Sequence, residues 1–132
     1  MSLTWNWLGE ELILRSDRTV WWPARQTLIV ADVHLGKGRA LSRLGVPLPD
    51  ASTADLARLS AALLATSATR VVVLGDLVHT PRDAPAELAT WQTDVTRILV
   101  AGNHDRAFHP ACCATPLAGS PHRASGSVAA AW

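Results

Sequence analysis

Lysine is nearly missing from this chain of 132 residues: Lys37 is the only one, and arginine supplies the rest of the 12 basic side chains. Against 11 acids they leave a formal net charge of +1. No whole-molecule field draws in a polyanion, so any nucleic-acid contact has to come from a local patch. The Ala- and Arg-rich, Lys-poor usage fits a high-GC coding sequence and says nothing of partners. Cysteine is confined to Cys112 and Cys113. Adjacent cysteines seldom bridge to each other and lack the C-x-x-C spacing of a zinc site, so the expectation is two free thiols in a reducing cytoplasm. No run approaches the ~18 consecutive apolar residues of a membrane helix. Met1 to Glu11 holds two acids and no early basic cluster, so no secretory leader is expected either. No G-x-G-x-x-G follows the first long strand, which argues against a dinucleotide-binding fold.

What the chain does have is three short polar blocks, each at the end of an apolar run. Thr27-Leu28-Ile29-Val30-Ala31 leads into Asp32-Val33-His34. Val71-Val72-Val73-Leu74 leads into Gly75-Asp76, and Ile98-Leu99-Val100-Ala101 into Gly102-Asn103-His104-Asp105. Short β-branched runs read as buried strands of an α/β sheet. Ligands of open α/β sheets bind outside the carboxyl ends of the strands. Asp32, His34, Asp76, Asn103 and His104 are thereby delivered to one sheet edge. Oxygen and imidazole donors of this kind suit a divalent ion of the Mn, Fe or Zn type. Asp32 or Asp76 taken singly could equally be a helix cap or a turn residue; such a role does not account for all the blocks together.

The remaining pattern is simple. Leu12-Ile13-Leu14 and Thr19 to Trp22 read as short strands, the second ended by Pro23. Trp5, Trp7, Trp21 and Trp22 fit either core and hairpin packing or base stacking. Lys37 to Leu44 is predicted to be a short helix ended at Gly45. A second helix is expected over about 53–67, capped by Asp50 or Ser52, with Leu56, Leu59, Leu63 and Leu64 as its buried stripe. Residues 86–92 are a further helical candidate. The order β-α-β-(α)-β predicts a largely parallel sheet with right-handed crossovers. After Phe108 the character changes. Residues 109–132 hold no acid, no periodic apolar run and no clear strand, so they are expected to form a low-complexity, disordered tail behind a domain at 1–108.

The three blocks resemble the pattern D-x-H, G-D, G-N-H-D/E of the calcineurin-like metallophosphoesterases, over roughly residues 26–106. The stretches Trp21-Trp22-Pro23-Ala24-Arg25, His34-Leu35-Gly36-Lys37, VVVLGDLVH at Val71 to His79 and GNHDR at Gly102 to Arg106 are similar to one bacterial subgroup. Its members are the ligase-associated DNA damage response phosphoesterases, which accompany a DNA ligase and a helicase. The resemblance implies an α/β fold, here an incomplete calcineurin-like sandwich: the β-α-β half with a mostly parallel sheet. It implies a hydrolase of phosphodiesters, with DNA as the candidate substrate and no membrane partner. It also implies two divalent metal ions, manganese first, with Fe, Zn or Mg as alternatives. Asp76 would bridge them, Asp32 and His34 would hold the first, and Asn103 the second. His104 would protonate the leaving oxygen, with Asp105 orienting its ring. Lys37, Arg39 and Arg106 read either as phosphate contacts or as solvated charges. His79 reads either as a site residue or as a hydrogen-bonded loop histidine. The family continues with a further histidine and a G-H-x-H motif, for which His109 and His122 lack the flanks. The second metal site is therefore expected to be incomplete, and the chain to be truncated or frameshifted after Phe108. The rival expectation is a non-catalytic remnant or interaction module that retains half of the metal site.

Overall fold

After β1 (Ser2–Trp7) the chain reverses through two residues, Leu8 at φ 52° and Gly9 at φ 84°. Left-handed backbone at both centres is what a two-residue hairpin demands, and it returns the chain as β2 (Glu10–Arg15). A second tight return gives β3 (Val20–Trp22), and a third, closed by Gln26 at φ 46°, gives β4 (Thr27–Ala31). This computed structural model describes residues 1–91 and 94–105, with the backbone alone at 129–131. The helices α1 (Lys37–Arg43) and α2 (Ser52–Thr66) cross to β5 (Arg70–Leu74). Single 3-10 turns at Pro81–Asp83 and Ala86–Ala89 then carry the chain to β6 (Thr96–Val100). The last described element is β7 (Ala129–Ala131).

These strands form one sheet in sequence order, β1 to β7. The parallel arrangement holds for β4, β5 and β6 only; β1 to β4 join antiparallel, and β7 adds antiparallel to β6. The sheet is mixed rather than mostly parallel, because short hairpin turns return a strand antiparallel while a helical crossover returns it parallel. Within the parallel centre Ala31, Leu74 and Val100 lie side by side in register, so the three polar blocks that follow start from one level.

One face of this centre is the core. Leu28, Val30, Val71, Val73 and Leu99 meet Leu56, Leu59, Ala62 and Leu63 of α2, with Leu77, Val78, Leu88 and Trp91 closing the end. Leu64 departs from the predicted stripe. It is 78% exposed, because it lies about 100° around the helix from Leu63 and this sheet face already takes Leu56, Leu59 and Leu63. The opposite face of the sheet is only half buried at Ile29, Val72 and Ile98, so these strands alternate rather than being covered on both sides. Neither Asp50 nor Ser52 is itself the α2 cap. Ala51 takes that position, while Asp50 Oδ1 accepts from the Ser52 N–H and hydroxyl at 3.1 and 2.5 Å. Trp21 packs on the core and Trp22 Nε1 donates to Glu10 at 2.8 Å, whereas Trp5 and Trp7 stack on each other in solvent, ring centres 6.2 Å apart.

The expectation that 109–132 carries no strand fails at Ala129–Ala131. Pairing uses main-chain groups, which alanine supplies as well as any residue, so no side-chain pattern announced it. Phe108, His109, Cys112, Cys113 and His122 lie outside the described residues.

Candidate metal centre

The loops after β4 and β5 are sewn together beyond the ends of their strands. Asp32 N–H donates to Gly75 O at 3.2 Å, His34 N–H to Asp76 O at 2.8 Å and Leu35 N–H to Leu77 O at 2.9 Å; His79 N–H returns to Leu35 O at 2.8 Å. Gly75 N–H donates to Val100 O at 2.8 Å, which ties in the third loop. Asp32, His34 and Asp76 therefore sit on rigid backbone. All three have left-handed φ values, 50°, 52° and 50°. In non-glycine residues that geometry costs energy and concentrates where surrounding structure enforces it for function. Among the described residues, the other non-glycine positions with positive φ, Leu8, Arg18, Gln26 and Ser67, belong to turns and a helix end.

Side chains converge above these loops. One donor atom each of Asp32, His34 and Asp76 lies within 4.8 Å of the others, and a second such group joins His34, His79 and His104. His34 Nε2 stands 3.9 Å from Asp76 Oδ2. That is too long for a hydrogen bond but inside the ~4.2 Å that two donors at ~2.1 Å from one ion can span. The other ring nitrogen of His34 and Nδ1 of His79 are buried without a hydrogen-bond partner among the described residues. Open carboxylate oxygens, imidazole nitrogens and orphaned ring atoms fit a divalent cation.

Asp76 is held from the far side. Its Oδ1 accepts the His104 N–H at 2.9 Å, which leaves Oδ2 on the side of His34. Gly102 makes this approach feasible, since a Cβ there would lie 2.2 Å from Asp76 Oδ1. His104 Nδ1 lies 2.9 Å from the His79 carbonyl oxygen. A carbonyl only accepts, so Nδ1 carries the proton and Nε2 is the free nitrogen. The rings of His79 and His104 stack with centres 4.9 Å apart, and His34 stands edge-on to His104 at 5.0 Å. Burial first, then the positive charge of His104, His34 and Lys37, hold His79 below the ordinary imidazole range, with Asp83 opposing.

Asp105 does not orient the His104 ring. Its buried carboxylate accepts the N–H of Val78 at 3.2 Å and of Gly102 at 2.9 Å, clamping the loop that carries Asp76 to the loop that carries Asn103. Orienting the ring falls to the His79 carbonyl, a main-chain group that sequence spacing cannot single out. Asn103 is exposed at the head of the third block. Lys37 lines the cleft beside Asp32 and His34. Arg39 turns to Asp50 at 2.5 Å, and Arg106 lies outside the described residues. The cleft also takes Leu48, Pro49, Ser52 and Asp55, none of which the sequence pattern placed at the site.

The family described as calcineurin-like phosphoesterase matches residues 26–129. Among solved structures, the crystal structure of Pseudomonas putida nuclease MPE superposes with a TM-score of 0.71 at 31% sequence identity. The match covers 86% of this chain and 56% of that one, so the chain spans little more than half the length of its structural relative. No curated protein matches the sequence.

Proposed function

This chain belongs to the calcineurin-like phosphoesterase family, and from that premise we propose that it is a metal-dependent hydrolase of phosphodiesters with nucleic acid as its substrate class. The observation that carries the reading is the convergence of Asp32, His34 and Asp76 on one point from three left-handed backbone positions. The solved relative named a nuclease supports the substrate class. Asp32, His34 and Asp76 would hold the first ion, and Asp76 and Asn103 the second, with manganese the proposed metal. Bound divalent ions supply charge for the phosphoryl oxygens and lower the pKa of a water.

The chain's own groups do the rest. Asp76 keeps one oxygen on the His104 N–H and presents the other beside His34 Nε2. His104, fixed through Nδ1 by the His79 carbonyl, presents Nε2 to hold a proton for the leaving oxygen. His79, whose burial disfavours its charged form, stacks on the His104 ring. The finer reading is a cytoplasmic DNA endonuclease that works with a DNA ligase and a helicase in the damage response; the tryptophan-rich strand and the HLGK turn support it. No described helix is long and apolar enough to cross a membrane.

Two ligands at the second ion favour a second reading, a non-catalytic module that keeps half of the site. Hydrolysis of bis-p-nitrophenyl phosphate by the purified chain, with and without Mn²⁺, separates the two. Metal-stimulated turnover is expected; its complete absence gives the module reading.

A further inference from the structure

Beside Asp32 and His34 the surface sinks into a cleft of about 250 Å³. The start of α1, with Lys37 and Gly38, forms one wall; Leu48, Pro49 and the first turn of α2 form the other. The walls are locked together. A Cβ on Gly38 would lie 2.3 Å from Pro49 O, so only glycine lets these segments touch. The Gly36 N–H donates to Ser52 Oγ at 2.7 Å, Ser42 Oγ donates to Leu48 O at 3.2 Å, and Pro47 and Pro49 restrict the link between. The cleft is preformed.

Three acids line it: Asp50 is matched by Arg39 at 2.5 Å, Asp55 by Arg58 at 3.3 Å, and Asp32 is the one assigned to the metal. Among the described residues the Lys37 ammonium makes no ion pair. Leu48 is 45% exposed on the apolar side. The volume falls just below the roughly 300–1,000 Å³ of ordinary ligand pockets, the size for one fragment of a polymer and not for a whole oligonucleotide.

We propose that this cleft is a nucleoside subsite next to the reacting phosphate: Leu48 and Pro49 lie against one base, and Lys37 pairs with the neighbouring phosphate. The inference rests on the phosphodiesterase reading and adds to it a preference for diesters that carry a nucleoside arm over those with a small alkyl arm.

The test compares thymidine 5′-(p-nitrophenyl phosphate) with methyl p-nitrophenyl phosphate, and measures binding of thymidylyl-thymidine by equilibrium dialysis. Leu48→Ser is expected to lower the ratio of the two kcat/KM values about five- to tenfold, because the base no longer has an apolar side chain to cover it. It should weaken dinucleotide binding by a similar factor. Leu64→Ser, on the solvent side of α2, should leave the ratio alone. An unchanged ratio with unchanged dinucleotide binding in Leu48→Ser overturns the subsite while leaving the hydrolase reading intact. Leu48-dependent dinucleotide binding without any hydrolysis keeps the subsite and overturns the hydrolase reading. No measurable dinucleotide binding by the unmodified chain also overturns the subsite.

Discussion

The main-chain N–H of His104 donates to Oδ1 of Asp76 at 2.9 Å, so the loop after β6 sets the carboxylate that follows β5. One oxygen of Asp76 is thereby committed to the protein and the other is left for a cation. This asymmetry makes the site sensitive to changes that keep the shape and alter the charge.

Asp76→Asn must turn its carbonyl oxygen to the His104 N–H, because two donors do not face each other. Its NH₂ then points where a cation needs an anion. Mn²⁺ affinity is expected to fall by more than the about 10–100-fold that outer partners of a metal site cost, and metal-stimulated hydrolysis to vanish. Isothermal titration with Mn²⁺ checks this; unaltered stoichiometry and affinity would remove Asp76 from the site.

His104→Ala removes the proton carrier without removing a proposed ligand. Turnover should drop ~10²–10⁴-fold while Mn²⁺ affinity holds. If the titration shows that the metal no longer binds, His104 is a ligand.

Gly102→Ala forces a methyl group to within 2.2 Å of Asp76 Oδ1. Overpacking of this kind costs about 1–3 kcal/mol, and relief by displacing Asp76 should weaken Mn²⁺ binding as well. Chemical denaturation read alongside the metal titration will show both effects; a variant with native stability would mean that the loops have room to part.

Asp83 is buried, and Arg43 grips both its oxygens while Thr80 donates to Oδ2 at 2.5 Å. The Arg43 hydrogen bond holds its carboxyl below the ordinary aspartate value. A depressed folded-state pKa gives stability that is present above the unfolded value, ~3.9, and is lost as pH falls through the folded one. Asp83→Asn should cost about 1.5–3 kcal/mol at pH 7, the range for hydrogen bonds to charged groups, with the gap narrowing below pH 4. Urea midpoints of both proteins across pH 3–7 measure it; a gap independent of pH would assign the effect to packing.

The frame of the site is written in short local patterns. The runs Leu28 to Ala31, Val71 to Leu74 and Ile98 to Val100 are local patterns, and they form β4, β5 and β6 as read. Each ends in its polar block, and one donor atom each of Asp32, His34 and Asp76 lies within 4.8 Å of the others. The helices α1 and α2 also follow from local spacing. Features that depend on distant partners came from packing. His79 joins the cluster because the His34 and Asp76 loops are hydrogen-bonded to each other. Asp105 serves the Val78 and Gly102 amides and not a histidine ring, since the partner of a buried carboxylate is whichever donor packing leaves unsatisfied beside it. Leu64 faces water although its spacing fits a stripe, because a helix buries only the arc its neighbours cover. The antiparallel flanks of the sheet and the pairing of Ala129–Ala131 belong to the same class: strand pairing is made by main-chain groups that every residue carries, so side-chain order does not encode it.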